Sequence, residues 1–345
     1  MHAGHGPNHA YDEQFAILQR EMTLRLLSFV VFLVLQIAFL PLAVVGVVIV
    51  AYKQLAVSKR LGVSQTMVEV LNTRWTMHVF DMREDVASAR LADSIPNTSP
   101  FGLWLVLVPL WVKYKMSGAY FGYPKVPDEG RENYLTFMIA RTLYIDRIIR
   151  RALGDMDQFV LLGAGYDTRA YGEFKRDGTA VFELDQTHNQ ELKVTSLGNA
   201  GIDAAHVTFV PVDFSRDDIF EKLQATGYDT AKKSTLLWEG VTLYLAEEDV
   251  RKALRNIREH AAPGSVVVAD FYAERFIRTF GQKGATNKLL EYTDETLGFG
   301  LPFEADHEQT LQRFVNSEGL TVGETTFLGS SGKKGPFMVV AELRV

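Results

Sequence analysis

The pattern of apolar and polar positions divides the 345-residue chain into three stretches. In the first, Leu26 to Tyr52, no side chain is charged and only Ser28 and Gln36 are clearly polar. Such a run can cross a bilayer, because a spanning helix needs about 20 predominantly apolar residues and a longer one tilts to fit. Pro41 lies near its middle, so the pattern allows one span, a kinked helix or a short re-entrant hairpin. A cleaved signal peptide fits less well, since the run is about twice the usual apolar core and no A-x-A-like site precedes the next polar segment.

In the second stretch, Leu61 to Glu132, helical periodicity is broken by Pro and Gly, as in Ile95-Pro96-Asn97-Thr98-Ser99-Pro100. This reads as a helical cap or connector over 56–130. Within it, Phe101 to Val112 is apolar but too short to span. Trp104, Trp111, Lys113 and Lys115 suit an interfacial segment against lipid headgroups, and a buried cap helix is the competing reading.

The third stretch alternates in period. Tyr134 to Leu153 is spaced for one face of a helix, with Gly154 placed to stop it. Strands are expected at Gln158–Leu162, Ala180–Leu184, Val207–Val212, Thr235–Trp238 and Ser265–Ala269. Between the last two, a helix opens on Glu247, Glu248 and Asp249 and closes on Arg258 and His260, which suits the helix dipole. Strands alternating with helices imply a mostly parallel sheet. Thr321–Phe327 and Phe337–Leu343, separated by a Gly- and Ser-rich turn, read as a closing β-hairpin. The expected organisation is therefore a flexible tail over 1–23, a membrane anchor over 24–55, the cap, and an α/β domain over 131–345.

Composition narrows the functions. The formal net charge is −6. That argues against a nucleic-acid partner, which needs clustered Lys and Arg. The absence of cysteine removes disulfides, thiolate metal sites and a cysteine nucleophile. His2, His5 and His9 lie in the tail, where scattered histidines are more often unstructured than metal-binding, so no metal site is expected. Arg20 and Arg25 precede the apolar run, whereas Lys53, Lys59, Arg60 and Arg74 follow it, which places the C-terminal bulk on the cytoplasmic side. A homo-oligomer stays open.

In an open α/β sheet, ligands collect at the carboxyl ends of the strands. The first strand runs into Gly163-Ala164-Gly165, where the lack of Cβ lets backbone approach a ligand. The second ends Phe182-Glu183-Leu184-Asp185, with Asp185 near the place of an acid that holds a ribose diol. Glu183 shares its face and could pair with Arg169. The third ends in Asp213-Phe214, an acid and an aromatic suited to an adenine ring. The fourth ends in Glu239, at the centre of the ligand's expected position.

Leu162-Gly163-Ala164-Gly165-Tyr166-Asp167-Thr168-Arg169, Phe182-Glu183-Leu184-Asp185 and Trp238-Glu239-Gly240-Val241-Thr242-Leu243-Tyr244-Leu245 resemble the signature segments of the leucine carboxyl methyltransferase family and its bacterial relatives. The resemblance implies a Rossmann-like class I methyltransferase sheet of seven strands, mostly parallel and ending in an antiparallel hairpin. It implies S-adenosyl-L-methionine as cofactor. It further implies that Arg141 binds the cofactor's carboxylate, that Gly163 and Gly165 line the pocket, that Asp185 holds the ribose, that Asp213 and Phe214 hold the adenine, and that Glu239 holds the amino group. The N-terminal apolar segment, and Gln186 in place of a frequent proline, depart from the family pattern.

The chain is thus expected to be a membrane-anchored O-methyltransferase acting on a carboxylate or hydroxyl of a small, amphiphilic or lipid-linked acceptor. A carboxylate acceptor is ionised at neutral pH, while a hydroxyl needs a base. Tyr244, Tyr123 and Tyr272 are the candidate catalytic residues, with Tyr120 nearby, although tyrosines can equally form pocket walls. Phe271 to Phe303 and the cap are expected to shape the acceptor pocket. Two other readings compete. A nicotinamide-dependent oxidoreductase is disfavoured by Thr168 in place of its third glycine. A catalytically silent membrane scaffold of the same fold is disfavoured by the four separated ligands Arg141, Asp185, Asp213 and Glu239.

Overall fold

A computed structural model describes residues 7–282, 297–304 and 306–345. The chain divides into two compact units, one of Met1–Tyr52 with Ser99–Lys125 and one of Lys53–Thr98 with Val126–Val345.

The first unit is built on helix α1, Pro7–Ala51, which runs unbroken through Pro41. The hairpin reading of the apolar run is thereby set aside. Helix also replaces the flexible tail over residues 7–23. Pro7 suits a first helical turn, and the Ala, Leu, Glu, Gln, Arg and Met that follow are helix formers with no breaker among them. His2 and His5 lie outside the described residues, and His9 falls within α1. Large apolar side chains of α1 stay exposed, Ile37 to 76% and Val34 to 63%. The helix is long and apolar enough to cross a membrane.

Helix α1 continues through a π-helical turn, Tyr52–Val57, into the short helix α2, Ser58–Leu61. The 3.6-residue periodicity returns in α3, Gln65–Val79, capped by Ser64, and in α4, Val86–Ser94, capped by Asp85. Helix α5, Pro100–Ser117, returns to the first unit and is longer than the apolar segment 101–112, because Lys113 to Ser117 continue the helix to an αL cap at Gly118.

In the second unit, strands β1 Gln158–Leu162, β2 Ala180–Asp185, β3 Val207–Pro211, β4 Ser234–Trp238, β5 Val266–Tyr272, β6 Thr321–Leu328 and β7 Met338–Arg344 form one sheet in the order β3-β2-β1-β4-β5-β7-β6. The first five pair in parallel, whereas β7 runs antiparallel to β5 and β6. This is the Rossmann-like arrangement expected. Every residue of β1 and β4 is buried, which explains why both read as continuous apolar runs rather than alternating ones. Strand β5 extends three residues past the expected Ala269. Its extra segment, Asp270-Phe271-Tyr272, is fully buried and antiparallel-paired with Met338–Val340.

Helices α6 Phe137–Ala152, α7 Thr187–Asn199, α8 Ile219–Ala225, α9 Glu247–His260, α10 Glu274–Gln282 and α11 His307–Ser317 complete the described elements. Helix α6 packs on β5, β6 and β7. Residues 283–296, which fall in the expected acceptor-pocket segment, lie outside the described residues.

The division between cap and catalytic domain differs from the sequence reading. Residues 53–98 join the sheet rather than a separate 56–130 cap, for an electrostatic reason. Arg83, between α3 and α4, pairs with Asp85 and with Asp146 of α6, and Thr168 donates to Asp85 from the loop after β1. All four side chains are at least nine-tenths buried. Buried charges are retained only with partners, so these pairs fix α3 and α4 to the sheet. Arg83→Leu, which leaves Asp85 and Asp146 without the cation they share, should cost about 3–5 kcal/mol in urea denaturation. The same change at exposed Arg216 should shift stability by no more than about 0.5 kcal/mol.

Candidate active site

The carboxyl end of the sheet is organised by a buried group of three guanidiniums and three carboxylates. Asp167 follows β1, Glu239 follows β4, and Asp270 lies in the extension of β5. Arg169 opens the 3-10 turn Arg169–Tyr171, Arg141 projects from α6, and Arg74 from α3. Glu239 Oε2 accepts from Arg74 Nη2 at 2.9 Å and from Arg169 Nη1 at 2.5 Å. Arg74 Nη2 also donates to Asp167 Oδ2 at 2.9 Å, and Arg169 Nε to Asp146 Oδ1 at 2.6 Å. Arg141 Nη1 donates to the Tyr272 hydroxyl at 2.7 Å, and that hydroxyl donates to Asp270 Oδ2 at 3.1 Å.

Burial alone would raise the Glu239 pKa, but the guanidiniums of Arg169, Arg74 and Arg141 outweigh it and hold Glu239 at about 2. Asp167 is depressed for the same reason by Arg169 and Arg74. Asp270 behaves oppositely. Burial and the neighbouring Glu239 charge overcome the attraction of Arg141 and raise it to about 6.

The pairing is incomplete in an informative way. Arg74 Nε and Nη1, Arg141 Nε and Arg169 Nη2 are buried without hydrogen-bond acceptors, and Glu239 Oε1 is buried without a donor. Arg141 Nη2 lies 3.1 Å from Glu239 Oε1 but is not aligned to donate. An unmade hydrogen bond to a buried charged group is costly, so donors and an acceptor left open side by side fit a ligand carrying both a carboxylate and an ammonium. The amino-acid end of S-adenosyl-L-methionine has that donor and acceptor set.

The glycine loop lies beside this group. Gly163 has φ +71° and Gly165 φ +42°. A Cβ on Gly163 would come within 2.4 Å of Val241 Cγ2, and one on Gly165 within 3.1 Å of Met67 Sδ on α3. Asp185 secures the loop, with Oδ2 accepting from Gly165 N at 2.6 Å and Oδ1 accepting from Gln186 N and Asn189 Nδ2, each at 2.7 Å. Its Oδ2 carries one hydrogen bond and keeps capacity for a hydroxyl donor. Val212 N donates to Asp185 O at 2.9 Å, which sets the start of the Asp213-Phe214 turn beside β2. Asp213 is held below the usual carboxylate range by the Ser215 hydroxyl and is partly exposed, while Phe214 packs partly buried against the core.

Of the tyrosines, Tyr272 is fully buried and its hydroxyl is engaged by Arg141 and Asp270, where it orients the guanidinium. Burial pushes its pKa well above the ordinary value, so it is poorly placed to give up a proton. Tyr244 is partly buried and donates to Thr66 Oγ1 at 3.0 Å. Tyr123 precedes a cis proline and belongs, with Tyr120, to the first unit, where Tyr120 stacks on Tyr114 at 4.8 Å. Glu183 pairs with Lys193 at 2.6 Å and not with Arg169, whose Nε meets Asp146 and whose Nη1 meets both Asp167 and Glu239.

Three contributors escaped the sequence reading. Arg74 counted only as a charge after the apolar run, although its spacing from Val68 and Leu71 on the buried face of α3 marks it as unusual. Asp270 was hidden because its strand was ended at Ala269. Asn189 lies one helical turn into α7, where nothing distinguishes it from a solvated residue.

Fold and site together define a nucleotide-binding α/β unit whose polar end suits an amino-acid group. Residues 121–258 match the family model described as leucine carboxyl methyltransferase. A Bacillus subtilis protein named "Putative S-adenosyl-L-methionine-dependent methyltransferase" is 28% identical over 190 residues, covering 54% of this chain and 61% of its own length. A Mycolicibacterium smegmatis protein of the same description is 35% identical over 198 residues, covering 56% of this chain and 65% of its own. The chain thus spans less than two thirds of the length of these relatives. Among solved structures, a DUF574 family protein from Streptomyces avermitilis aligns with TM-score 0.45 and 16% identity over 60% of this chain and 83% of that one.

Gly163→Ala should bring both left-handed strain and the Val241 contact, weakening cofactor affinity at least about tenfold with little loss of helix and sheet signal, as read by calorimetry and circular dichroism. The pH dependence has opposite signs at two carboxyls. Glu239, depressed, contributes stability above its ordinary value that is lost as pH falls towards about 2. Asp270, raised, contributes stability below its ordinary value of 3.8 that is lost as pH rises through about 6. From pH 4 to pH 7.5, urea titrations should therefore show the protein losing stability relative to Asp270→Asn, by up to about 3 kcal/mol.

Proposed function

We propose that the chain is a membrane-anchored S-adenosyl-L-methionine-dependent O-methyltransferase with its sheet unit on the cytoplasmic side. The observation that carries this reading is the set of buried atoms without hydrogen-bond partners on Arg74, Arg141 and Glu239 beside the Gly163–Gly165 loop. Arg74 and Arg141 would receive the cofactor's carboxylate, Glu239 Oε1 its ammonium, Asp185 the ribose diol, and Asp213 with Phe214 the adenine. The match of residues 121–258 supports the same assignment.

The cofactor supplies a methyl group on a sulfonium. What this chain contributes is alignment, because in-line displacement gains much of its rate from holding the reacting atoms in place. Salt-bridged guanidiniums, themselves held by Asp146, Asp167 and the Tyr272–Asp270 pair, give that end of the site little freedom. A carboxylate acceptor needs no base. For a hydroxyl acceptor, Tyr244 is the tyrosine of the sheet unit best placed to take part, with Tyr123 a candidate from the other unit. Of the cations counted in the sequence as flanking the apolar run, Arg74 is committed to the site, so orientation rests on Lys53, Lys59 and Arg60. The exposed apolar length of α1 supports an acceptor that is amphiphilic or lipid-linked.

Calorimetry on the purified full chain should show binding of S-adenosyl-L-methionine and none of NADH. Arg74→Ala and Glu239→Gln should each weaken it at least about tenfold, the loss of a charged hydrogen bond. Binding of the dinucleotide alone, or of neither, would remove this reading. Mass spectrometry of membrane extracts incubated with isotopically labelled methyl donor would identify the acceptor.

A further inference from the structure

Helix α5 shares the first unit with the apolar helix α1. It lies antiparallel on α1. Near its start, a Cβ on Gly102 would meet Val50 Cγ2 at 2.9 Å and Gly46 O at 3.1 Å, and a Cβ on Gly46 would meet Gly102 O at 2.6 Å. Two helices approach that closely only where both carry glycine, the packing used between helices in lipid. Beyond the other end of α5, Phe121 packs on Phe29 and Phe32 of α1, each at 5.3 Å between ring centroids. As α5 advances, its partners on α1 therefore recede from Val50 towards Phe29, along the uncharged run.

The covalent path constrains α5 further. It starts immediately after Thr98 and the chain rejoins the sheet unit at Val126. A single folded unit occupies one side of a bilayer, so α5 must leave and return on that side. Gly118 to Lys125 are too few to form another spanning helix. The start of the turn after α5 bonds its polar groups internally, as irregular backbone at membrane depth requires. Gly118 N donates to Tyr114 O at 2.7 Å, Ser117 Oγ to Lys113 O at 2.9 Å, and the Lys113 ammonium to Ala119 O at 2.9 Å. Lys113 is buried and lies 5.8 Å over the Phe121 ring, so its charge is both bonded and covered, while Lys115 lies over the Tyr114 and Trp111 rings at 5.5 and 6.0 Å.

We propose that α5 is a re-entrant membrane helix, entering the acyl layer from the side of the sheet unit, packed on α1 through Gly46 and Gly102, and turning back at Lys113–Phe121. This deepens the anchoring reading, on which it rests, and replaces the interfacial placement expected for 101–112. The partner it fits is the lipid hydrocarbon beside the uncharged run of α1, where the apolar part of a lipid-linked acceptor would also lie.

The natural absence of cysteine makes the test direct. Single cysteines at Thr23, Lys59, Val108 and Lys125 of the full chain would be placed in sealed phosphatidylcholine–phosphatidylglycerol vesicles and labelled with a membrane-impermeant maleimide from each side. Lys59→Cys and Lys125→Cys should react from the same side, Thr23→Cys from the opposite side, and Val108→Cys from neither until detergent is added. A Phe32→Cys/Phe121→Cys pair should cross-link with a short bifunctional reagent. Reaction of Lys125→Cys opposite to Lys59→Cys would make α5 a full span and overturn the proposal. So would free reaction of Val108→Cys in intact vesicles, or failure of the pair to cross-link in labelled, inserted protein. If Thr23→Cys reacts from the side of Lys59→Cys while Val108→Cys stays protected, the single-span reading of α1 fails and re-entrance of α5 stands.

Discussion

The interaction on which the rest of the sheet unit depends is the attraction between Glu239 and its three guanidiniums. Glu239 is almost fully buried, as are Arg74, Arg141 and Arg169. None of these charges would be tolerable there alone, because the desolvation cost of each is several kcal/mol. Together they draw α3, α6, the loop after β1 and the end of β4 to one point. The same contacts that balance the charges also leave selected nitrogens and one oxygen without partners. The side chains that tie these elements together are thus the ones whose remaining atoms stay open.

This arrangement explains why the N-terminal region cannot be divided into anchor, cap and enzyme at the boundaries its composition suggests. Helix α3 supplies Arg74 and covers Gly165 with Met67, while Thr66 meets the Tyr244 hydroxyl. Helix α4 is fixed through Asp85, which serves as its cap, as the partner of Arg83 and as the acceptor from Thr168. The segment Lys53–Thr98 follows the apolar helix directly and still forms part of the nucleotide-binding unit.

Glu239 and Asp270 are shifted in opposite directions. Glu239, strongly ionised among guanidiniums, presents fixed negative charge. Asp270, raised to about 6 by burial and by that neighbouring charge, meets Arg141 both directly, at 3.4 Å, and through Tyr272.

Patterning by itself determined the sheet, the long apolar helix and the glycine loop with its acids at Asp185, Asp213 and Glu239. These are local properties, since period, turn chemistry and strand ends are written within a few residues of one another. It did not determine that Arg74 enters the site, that Asp270 lies within a strand, that α1 passes straight through Pro41, or that α5 runs back along α1. Each of these depends on what lies across the fold. A buried charge is recognisable only once its partners are assembled, a strand's end depends on the neighbour that pairs with it, and the placement of a short apolar helix depends on where the chain must return. Only the tertiary structure brings together Arg74, Arg141 and Glu239, which lie far apart in sequence, and so decides which of the chain's many charges are buried with atoms left unbonded.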